Sequence, residues 1–194
     1  MNDAPPLVLA STSPFRRELL RRLGIPFTTA APDIDESSLH GEPPDILVRR
    51  LSEGKARAVG SNHAGLIIGS DQIATTGEII LGKPGSHERA VEQLQLLAGK
   101  TVTFHTGLCL LDTVKDTVQI DVIPFRVEFR QLGTAQIERY LRREQPYNCA
   151  GSFKSEALGI TLFRRMRGDD PTALIGLPLI RLTDMLAVAG ISLP

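Results

Sequence analysis

Three groups of residues along the chain have the types and spacing to do chemistry. The first is "LVLASTSPFRR", Leu7 to Arg17, in which four apolar residues run into Ser11, Thr12 and Ser13, a proline, Phe15, Arg16 and Arg17. A helix starting at Pro14 presents unpaired backbone N–H groups and a partial positive charge, which suits phosphate. Ser11 and Ser13 add hydroxyl donors, and Arg16 adds a planar guanidinium that can grip phosphate oxygens bidentately. The glycines of a Walker loop are absent, so this is no P-loop. Taken alone, a serine before a proline is also what an ordinary helix cap looks like, and capping is the simpler reading.

The second group is acidic. Asp71 follows "LIIGS", at the C-terminal end of an apolar run, where α/β folds place ligands. Asp33, Asp35 and Glu36 crowd the loop "DIDESSLHGEPP". Carboxylates from separate loops can share Mg²⁺ or Mn²⁺, ions that take oxygen ligands and keep several waters. A solvated acidic loop and a turn aspartate would account for the same residues. The third group is a pair of lysines. Lys83 sits in "LGKPG", a turn whose glycines let a ligand approach the backbone. Lys55 lies in an amphipathic helix, where an exposed, salt-bridging lysine is the default. His40, His63, His87 and His105 show no metal spacing, and no serine lies in a nucleophile elbow. Together these residues support a metal-assisted site for a phosphorylated ligand.

The elements that must position them follow from periodicity. Leu7 to Ala10 reads as a buried strand, and Leu19, Leu20 and Leu23 give the helix from Pro14 its apolar stripe before Gly24-Ile25-Pro26 ends it. "FTTAAP" is a short strand, and Pro44 to Val59 is a helix with Ile46, Leu47, Leu51 and Ala58 at helical spacing. "GLIIGSDQIATT" begins as a buried strand that breaks at Gly69, and "GEIILGKPG" returns from it. Ser86 caps a helix through Leu97, with Ala90, Leu94 and Leu97 inward. "TVTFHTGLCLLD" and "TVQIDVIPFRVEFR" flank the turn "DTVKD" and read as a long hairpin. Thr134 caps a helix containing Ile137, Tyr140 and Leu141, and Pro178 to Ala189 forms the last helix. The fold class is α/β, a mixed sheet with flanking helices.

Composition bounds the function. A chain of 194 residues fits one domain, residues 1–194, with residues 1–6 as a flexible tail. Lys+Arg and Asp+Glu balance at 22 each, so no global field favours a nucleic acid polymer or an anionic membrane. Any anion must therefore meet a local cluster of cations. Cys109 and Cys149 match neither a disulfide framework nor a zinc pattern. The polar start "MNDAPP" is unlike a signal peptide, and no apolar run is long enough to span a bilayer, so the expected compartment is the cytoplasm.

Beyond these local readings, "LASTSPFRRELL", "DIDE", Lys55-Ala56, "GSDQ", "GKP" and "GLPL" occur in the order of the Maf-type nucleoside triphosphate pyrophosphatases, which the chain resembles from Leu7 to Leu179. The resemblance implies an elongated Maf/ITPase-like fold with a twisted mixed sheet and a central cleft. It implies hydrolysis of a nucleoside triphosphate to the monophosphate and pyrophosphate with a divalent cation, Mg²⁺ or Mn²⁺. On it, Asp71 is the proton acceptor for water. Ser11, Ser13 and Arg16 hold phosphate, Glu36, Lys55 and Lys83 are the other charged substrate-binding positions, and Glu36 and Asp71 are the candidate metal ligands. The chain is compatible with a homodimer.

Three further positions select the branch. Members resembling dTTP/UTP pyrophosphatases carry arginine, threonine and glutamine where this chain has Phe15, Gln72 and Glu156. "SPFRR", "GSDQ" and "GSFKSE" are instead similar to the branch that hydrolyses 7-methyl-GTP, although phenylalanine stands where tryptophan is typical. The guanine edge offers N1–H and N2–H side by side, which the Glu156 carboxylate can accept together, whereas uracil and thymine would face it with carbonyl oxygens. N7-methylation makes the ring cationic, so an aromatic face at Phe15 gains about 0.5–2 kcal/mol. Without the resemblance, a hydrophobic contact at Phe15 and a surface glutamate at 156 are the simpler readings. The alternatives are a dTTP/UTP or broader-specificity pyrophosphatase, and a nucleotide-sensing regulator of cell division.

Overall fold

A computed structural model describes residues 5–194. Along the chain lie β1 (Leu7–Ala10), α1 (Pro14–Arg21), β2 (Thr28–Ala30), α2 (Pro44–Gly60), β3 (Leu66–Thr76), β4 (Ile79–Leu81), α3 (His87–Leu97), β5 (Thr101–Asp112), β6 (Thr117–Phe129), α4 (Thr134–Glu144), β7 (Phe163–Arg167), α5 (Pro171–Ile175) and α6 (Leu179–Val188). The seven strands form one sheet in the order β2-β1-β3-β5-β6-β7, with β4 paired to β3 off that path. β1 runs parallel to β2 and β3, whereas β4 is antiparallel to β3 and β7 to β6, so the sheet is mixed. Of the expected tail, residues 1–4 lie outside the described residues. Pro6 is held, its carbonyl accepting from Leu66 N at 2.8 Å.

The chain divides into two compact units: residues up to Gln72 with His105–Ile123 and Asp170–Pro194, and Ile73–Phe104 with Pro124–Asp169. In the first unit, side chains alternate between the two faces of the sheet, as strand geometry requires. Leu7, Leu9, Leu66, Ile68, Leu108 and Leu110 pack with residues of α1 and α6, among them Leu19, Leu20, Leu182, Met185 and Leu186. Val8, Ala10, Ile67, Cys109 and Leu111 pack on the opposite side with Ala56 and Val59 of α2. Strands buried on both faces read as unbroken apolar runs, which is why they were legible. In the second unit, Phe129, Phe153 and Phe163 meet edge to face at 4.8–5.6 Å, and Phe104 joins Phe153 at 5.5 Å. Ala90, Leu94 and Leu97 of α3 and Ile137, Tyr140 and Leu141 of α4 are buried as expected.

Three local expectations change. β3 does not break at Gly69 but runs unbroken for 11 residues. The glycine is a seat for a helix: a Cβ there would lie 2.0 Å from the Ser52 carbonyl oxygen and 2.9 Å from Ala56 N. Gly107 of β5 does the same, since its Cβ would fall 2.3 Å from the Val48 carbonyl oxygen. α2 is thus let down onto the sheet between two bare backbones. The buried face of α2 is Leu47, Val48, Leu51, Ser52, Lys55, Ala56 and Val59, while Ile46 is half-exposed and Ala58 only partly covered. α4 is capped by Gly133 without a side-chain bond, so Thr134 is its first residue, not its cap. β7 and α5 were not anticipated: β7 is the arginine-rich "FRRMR", with only Phe163 buried, and α5 is too short to show a period.

Gly69→Ala tests the seating of α2. Backbone cannot swing aside as a flexible side chain can, so the substitution should cost about 1–3 kcal/mol. Gly82→Ala, where a Cβ meets nothing within 4 Å, should be near neutral. Denaturant midpoints at constant m-value check both; equal midpoints for the two variants would show that the close approach carries no weight.

Candidate active site

Asp71 was expected where its strand ends, but it lies midway along β3. The strand that ends there is its neighbour. β1 pairs with β3 up to Ala10 opposite Gly69, and β4 takes up pairing only at Ala74. By alternation Ile67, Gly69 and Asp71 share the α2 face, whereas Ile68, Ser70 and Gln72 share the other. Asp71 therefore faces α2, and its N–H donates to Ser52 Oγ at 3.0 Å. That serine in turn donates to the Val48 carbonyl at 2.6 Å.

Lys55 is the second departure. An exposed lysine was expected; its side chain is 7% exposed and continues the buried stripe of α2 one turn beyond Ser52. Nζ lies 2.6 Å from Asp71 Oδ1 and 2.7 Å from Glu36 Oε1. A buried ammonium costs several kcal/mol unless it is paired, and here two carboxylates pair with it. The Asp71 side chain is 12% exposed and Glu36 58%, so one partner belongs to the sheet and the other reaches in from the acidic loop. Asp71 Oδ2 and Glu36 Oε2 accept no hydrogen bond among the described residues.

Glu36 owes its place to a clamp on its own loop. Arg50 of α2 grips Glu42 with Nε and Nη2, both at 2.7 Å, and Nη2 also donates to the Ser37 carbonyl at 2.9 Å. The Arg50 guanidinium, joined by a hydrogen bond from Leu39 N, pulls the Glu42 carboxyl down to about 2. Asp33 and Asp35 remain exposed, and Asp35 accepts from Ser37 N at 2.9 Å, so the solvated-loop reading holds for both.

At the opening corner Ser13 does cap α1, its Oγ accepting from Arg16 N at 3.4 Å, and the buried Ser11 accepts from Ser13 N at 3.1 Å. Capping uses a lone pair of each hydroxyl and leaves its proton free to be donated. Arg16 donates Nε to the Gly176 carbonyl at 2.7 Å, and its terminal nitrogens have no hydrogen-bond partner among the described residues. Burial lowers the guanidinium pKa, while Asp71 and then Glu36 oppose that shift. Ser11, Ser13, Arg16, Glu36, Lys55 and Asp71 thus belong to one unit, with Arg16 within electrostatic reach of both carboxylates. Phe15, one residue from Arg16, is 36% exposed. Gln72 is committed through its amide nitrogen to Thr106 Oγ1 and to the carbonyls of Ala173 and Leu174, at 3.0, 2.7 and 3.2 Å.

Lys83 and Glu156 belong to the other unit. Lys83 is exposed and forms no ion pair among the described residues; Glu156 is exposed and accepts from Ser155 Oγ at 3.3 Å. Burial raises the Cys149 thiol pKa; Lys154 and Lys83 oppose the shift and Glu156 adds to it, so Lys83 and Glu156 both lie within electrostatic reach of that thiol. The segment carrying Glu156 is tied to α4, with Glu144 accepting from Lys154 Nζ and Leu158 N, both at 3.1 Å.

Among the described residues no group of three or more His, Cys, Asp or Glu side chains is arranged to hold a metal. The residues overlooked in the sequence are Ser52, Ser70 and Gly176. The two serines are fully buried, and Ser70 Oγ lies 2.8 Å from the Gly107 carbonyl and 3.1 Å from that of Gly176. A hydroxyl inside an apolar strand or helix face was the signal that could have found them.

The family model for Maf-like proteins matches residues 6–189. A 7-methyl-GTP pyrophosphatase of Nitrosococcus oceani is 59% identical over 191 residues, covering 97% of this chain and 96% of that protein. One from Pseudomonas fluorescens is 56% identical over 190 residues, covering 97% and 99%. Among solved structures, a HAM1 protein from Coxiella burnetii aligns with 66% of this chain and 74% of its own at 19% identity and a TM-score of 0.42.

The clamp on the acidic loop has a pH signature. Glu42 titrates at about 2 in the folded chain against an ordinary 4.5, so its contribution is present above 4.5 and fades as pH falls toward 2. The stability gap between the protein and Glu42→Gln, from denaturant titrations, should be flat above pH 4.5 and shrink below it. A gap independent of pH would mean that the carboxylate charge does not hold the loop.

Proposed function

The chain belongs to the Maf-like protein family, and on that premise we propose that it hydrolyses 7-methyl-GTP to 7-methyl-GMP and pyrophosphate. The observation that carries the reading is the Lys55 ammonium paired with Asp71 and Glu36, in a unit where Arg16 keeps two nitrogens unspent. Relatives at 59% and 56% identity over nearly the whole chain, themselves called 7-methyl-GTP pyrophosphatases, support the choice of substrate.

In this mechanism Asp71 takes a proton from water through Oδ2, the oxygen with no internal partner. The water oxygen bonds to phosphorus as the α–β P–O bond breaks, and the electron pair leaves with pyrophosphate. Arg16, with the hydroxyls of Ser11 and Ser13, holds phosphate oxygens and meets the charge that builds on the leaving group. Lys55 is poised to exchange a carboxylate partner for a phosphate oxygen, and Lys83 supplies a further cation. Within the first unit Arg16 and Lys55 are offset by Asp71 and Glu36, which leaves those four groups neutral before a triphosphate arrives, so positive charge beyond Arg16 and Lys55 is called for. Glu36 and Asp71 are the residues that would hold Mg²⁺ or Mn²⁺, and one or two carboxylates with substrate phosphates suffice for such an ion. When bound, the ion would neutralise phosphate charge. For the base, Phe15 stacks on the methylated ring, Glu156 accepts from the guanine edge, and Gln72 is left to act as an acceptor through Oε1. The same reading places the protein in the cytoplasm, with a nucleotide and not a nucleic acid polymer as its partner.

A panel of methylated and canonical triphosphates, scored for pyrophosphate release, tests it. Asp71→Asn should lower kcat by about 10²–10⁴-fold with KM little changed, because the amide keeps the shape but cannot take a proton. Near wild-type turnover in that variant would remove Asp71 from the base role. Glu156→Gln should cost about 2–4 kcal/mol in kcat/KM for 7-methyl-GTP and nothing for UTP, since the amino group meets a guanine donor head on. An unchanged ratio between the two substrates would show that the carboxylate does not read the base.

A further inference from the structure

Arg16 is aimed by a carbonyl, and that carbonyl belongs to a short turn with a positive φ of 124° at Gly176. Such a turn needs a reason to stay put. The N–H groups of Gly176 and Leu177 both donate to the Thr172 carbonyl, at 3.1 and 3.3 Å. The Thr172 hydroxyl accepts from Leu179 N at 2.8 Å and donates to Asp170 Oδ1 at 2.5 Å. Asp170 Oδ1 also accepts from Thr172 N at 2.8 Å, and Oδ2 accepts from Ile180 N at 2.8 Å. Asp170 itself is 3% exposed.

As the cap of α5, Asp170 needs only the bond from Thr172 N. Capping does not explain the bond to Ile180, which reaches across the whole turn to the start of α6. With both oxygens spent, the carboxylate joins the two flanks of the Gly176 turn. The carbonyl so presented accepts from Arg16 Nε at 2.7 Å and from the buried Ser70 hydroxyl at 3.1 Å. One hydrogen bond on Nε fixes the plane of a guanidinium, and with it the direction of the terminal N–H groups.

We infer that Asp170 is a positioning residue of the phosphate cradle, acting through Thr172 and the Gly176 carbonyl on Arg16. The inference rests on the proposed reaction for the identity of the ligand, not for the coupling. Asp170→Asn puts an amino group against a backbone donor whichever way the amide is turned, and so loosens the turn. Thr172→Val removes the hydroxyl at nearly constant shape, and Thr172→Ser keeps it.

Each variant is made in the wild-type and Arg16→Ala backgrounds. The readouts are kcat and KM for 7-methyl-GTP, calorimetric Kd for inorganic tripolyphosphate, and Tm. Asp170→Asn and Thr172→Val should each lower kcat/KM by about 10–100-fold, as expected for a catalytic group displaced by about 1 Å, and should weaken tripolyphosphate binding. Thr172→Ser should match the wild type. In the Arg16→Ala background the same substitutions should cost less than about twofold in both functional readouts, while Tm falls equally in both backgrounds. Equal functional losses in both backgrounds, or a lower Tm with unchanged kinetics and binding, would overturn the inference. If Asp170→Asn does not fold, the Thr172 pair decides. Should the wild type release pyrophosphate from no nucleotide, the proposed reaction fails, and tripolyphosphate binding alone still decides the coupling.

Discussion

A lysine ammonium inside a protein is tolerable only where opposite charge and hydrogen bonds replace the water it has lost. Lys55 meets that condition with two carboxylates, and much of the surrounding structure serves the meeting. Gly69 and Gly107 let α2 sink onto the sheet, which brings Lys55 to the level of Asp71. Ser52, one turn before it, takes the Asp71 N–H and sets the register of helix against strand. Arg50, on the same helix, holds the acidic loop through Glu42 and Ser37, and that loop delivers Glu36. A single helix thus supplies the cation and places both of its partners.

β3 serves two purposes because its side chains alternate. Toward α2 it presents Asp71. Toward the other face it presents Ser70 and Gln72, which bond to the Gly176, Ala173 and Leu174 carbonyls. The carboxylate and the turn that aims Arg16 are therefore one residue apart along a strand with no freedom to shift, since a slip of one residue would exchange the faces. This is a rigid way to hold the Arg16 guanidinium within electrostatic reach of a carboxylate. The acidic loop, with exposed Glu36, Asp33 and Asp35, lies outside the sheet and is held from α2 by Arg50.

The parts legible in the sequence were those governed by repeating patterns. Leu7 to Ala10 and Leu66 to Ile68 are apolar because both faces are buried, and α2 and α3 kept their period. The roles of single residues were harder. Lys55 looked like a surface lysine because its charge says nothing about burial; Val48, Leu51, Ser52 and Val59 on the same stripe mark its direction, and Ser52 disguises that stripe as polar. Gly69 looked like a strand break because a glycine gives the same letter whether it bends a chain or admits a neighbour. Asp71 was expected at the end of its own strand, whereas the strand that stops beside it is β1, far away in sequence. Gln72, taken as a base-reading position, has its amide nitrogen tied to α5, a helix too short to have been foreseen.

In the proposed reaction Arg16 and Lys55, offset by two carboxylates, meet a substrate with an excess of negative charge and part a diphosphate leaving group from a nucleotide. The bond that breaks decides whether that is what the site does. Phosphorus NMR of the products from 7-methyl-GTP during the first turnovers reads it directly. Pyrophosphate and 7-methyl-GMP in equal amounts are the expected result. Orthophosphate with 7-methyl-GDP would contradict it, placing the cleavage at the terminal anhydride.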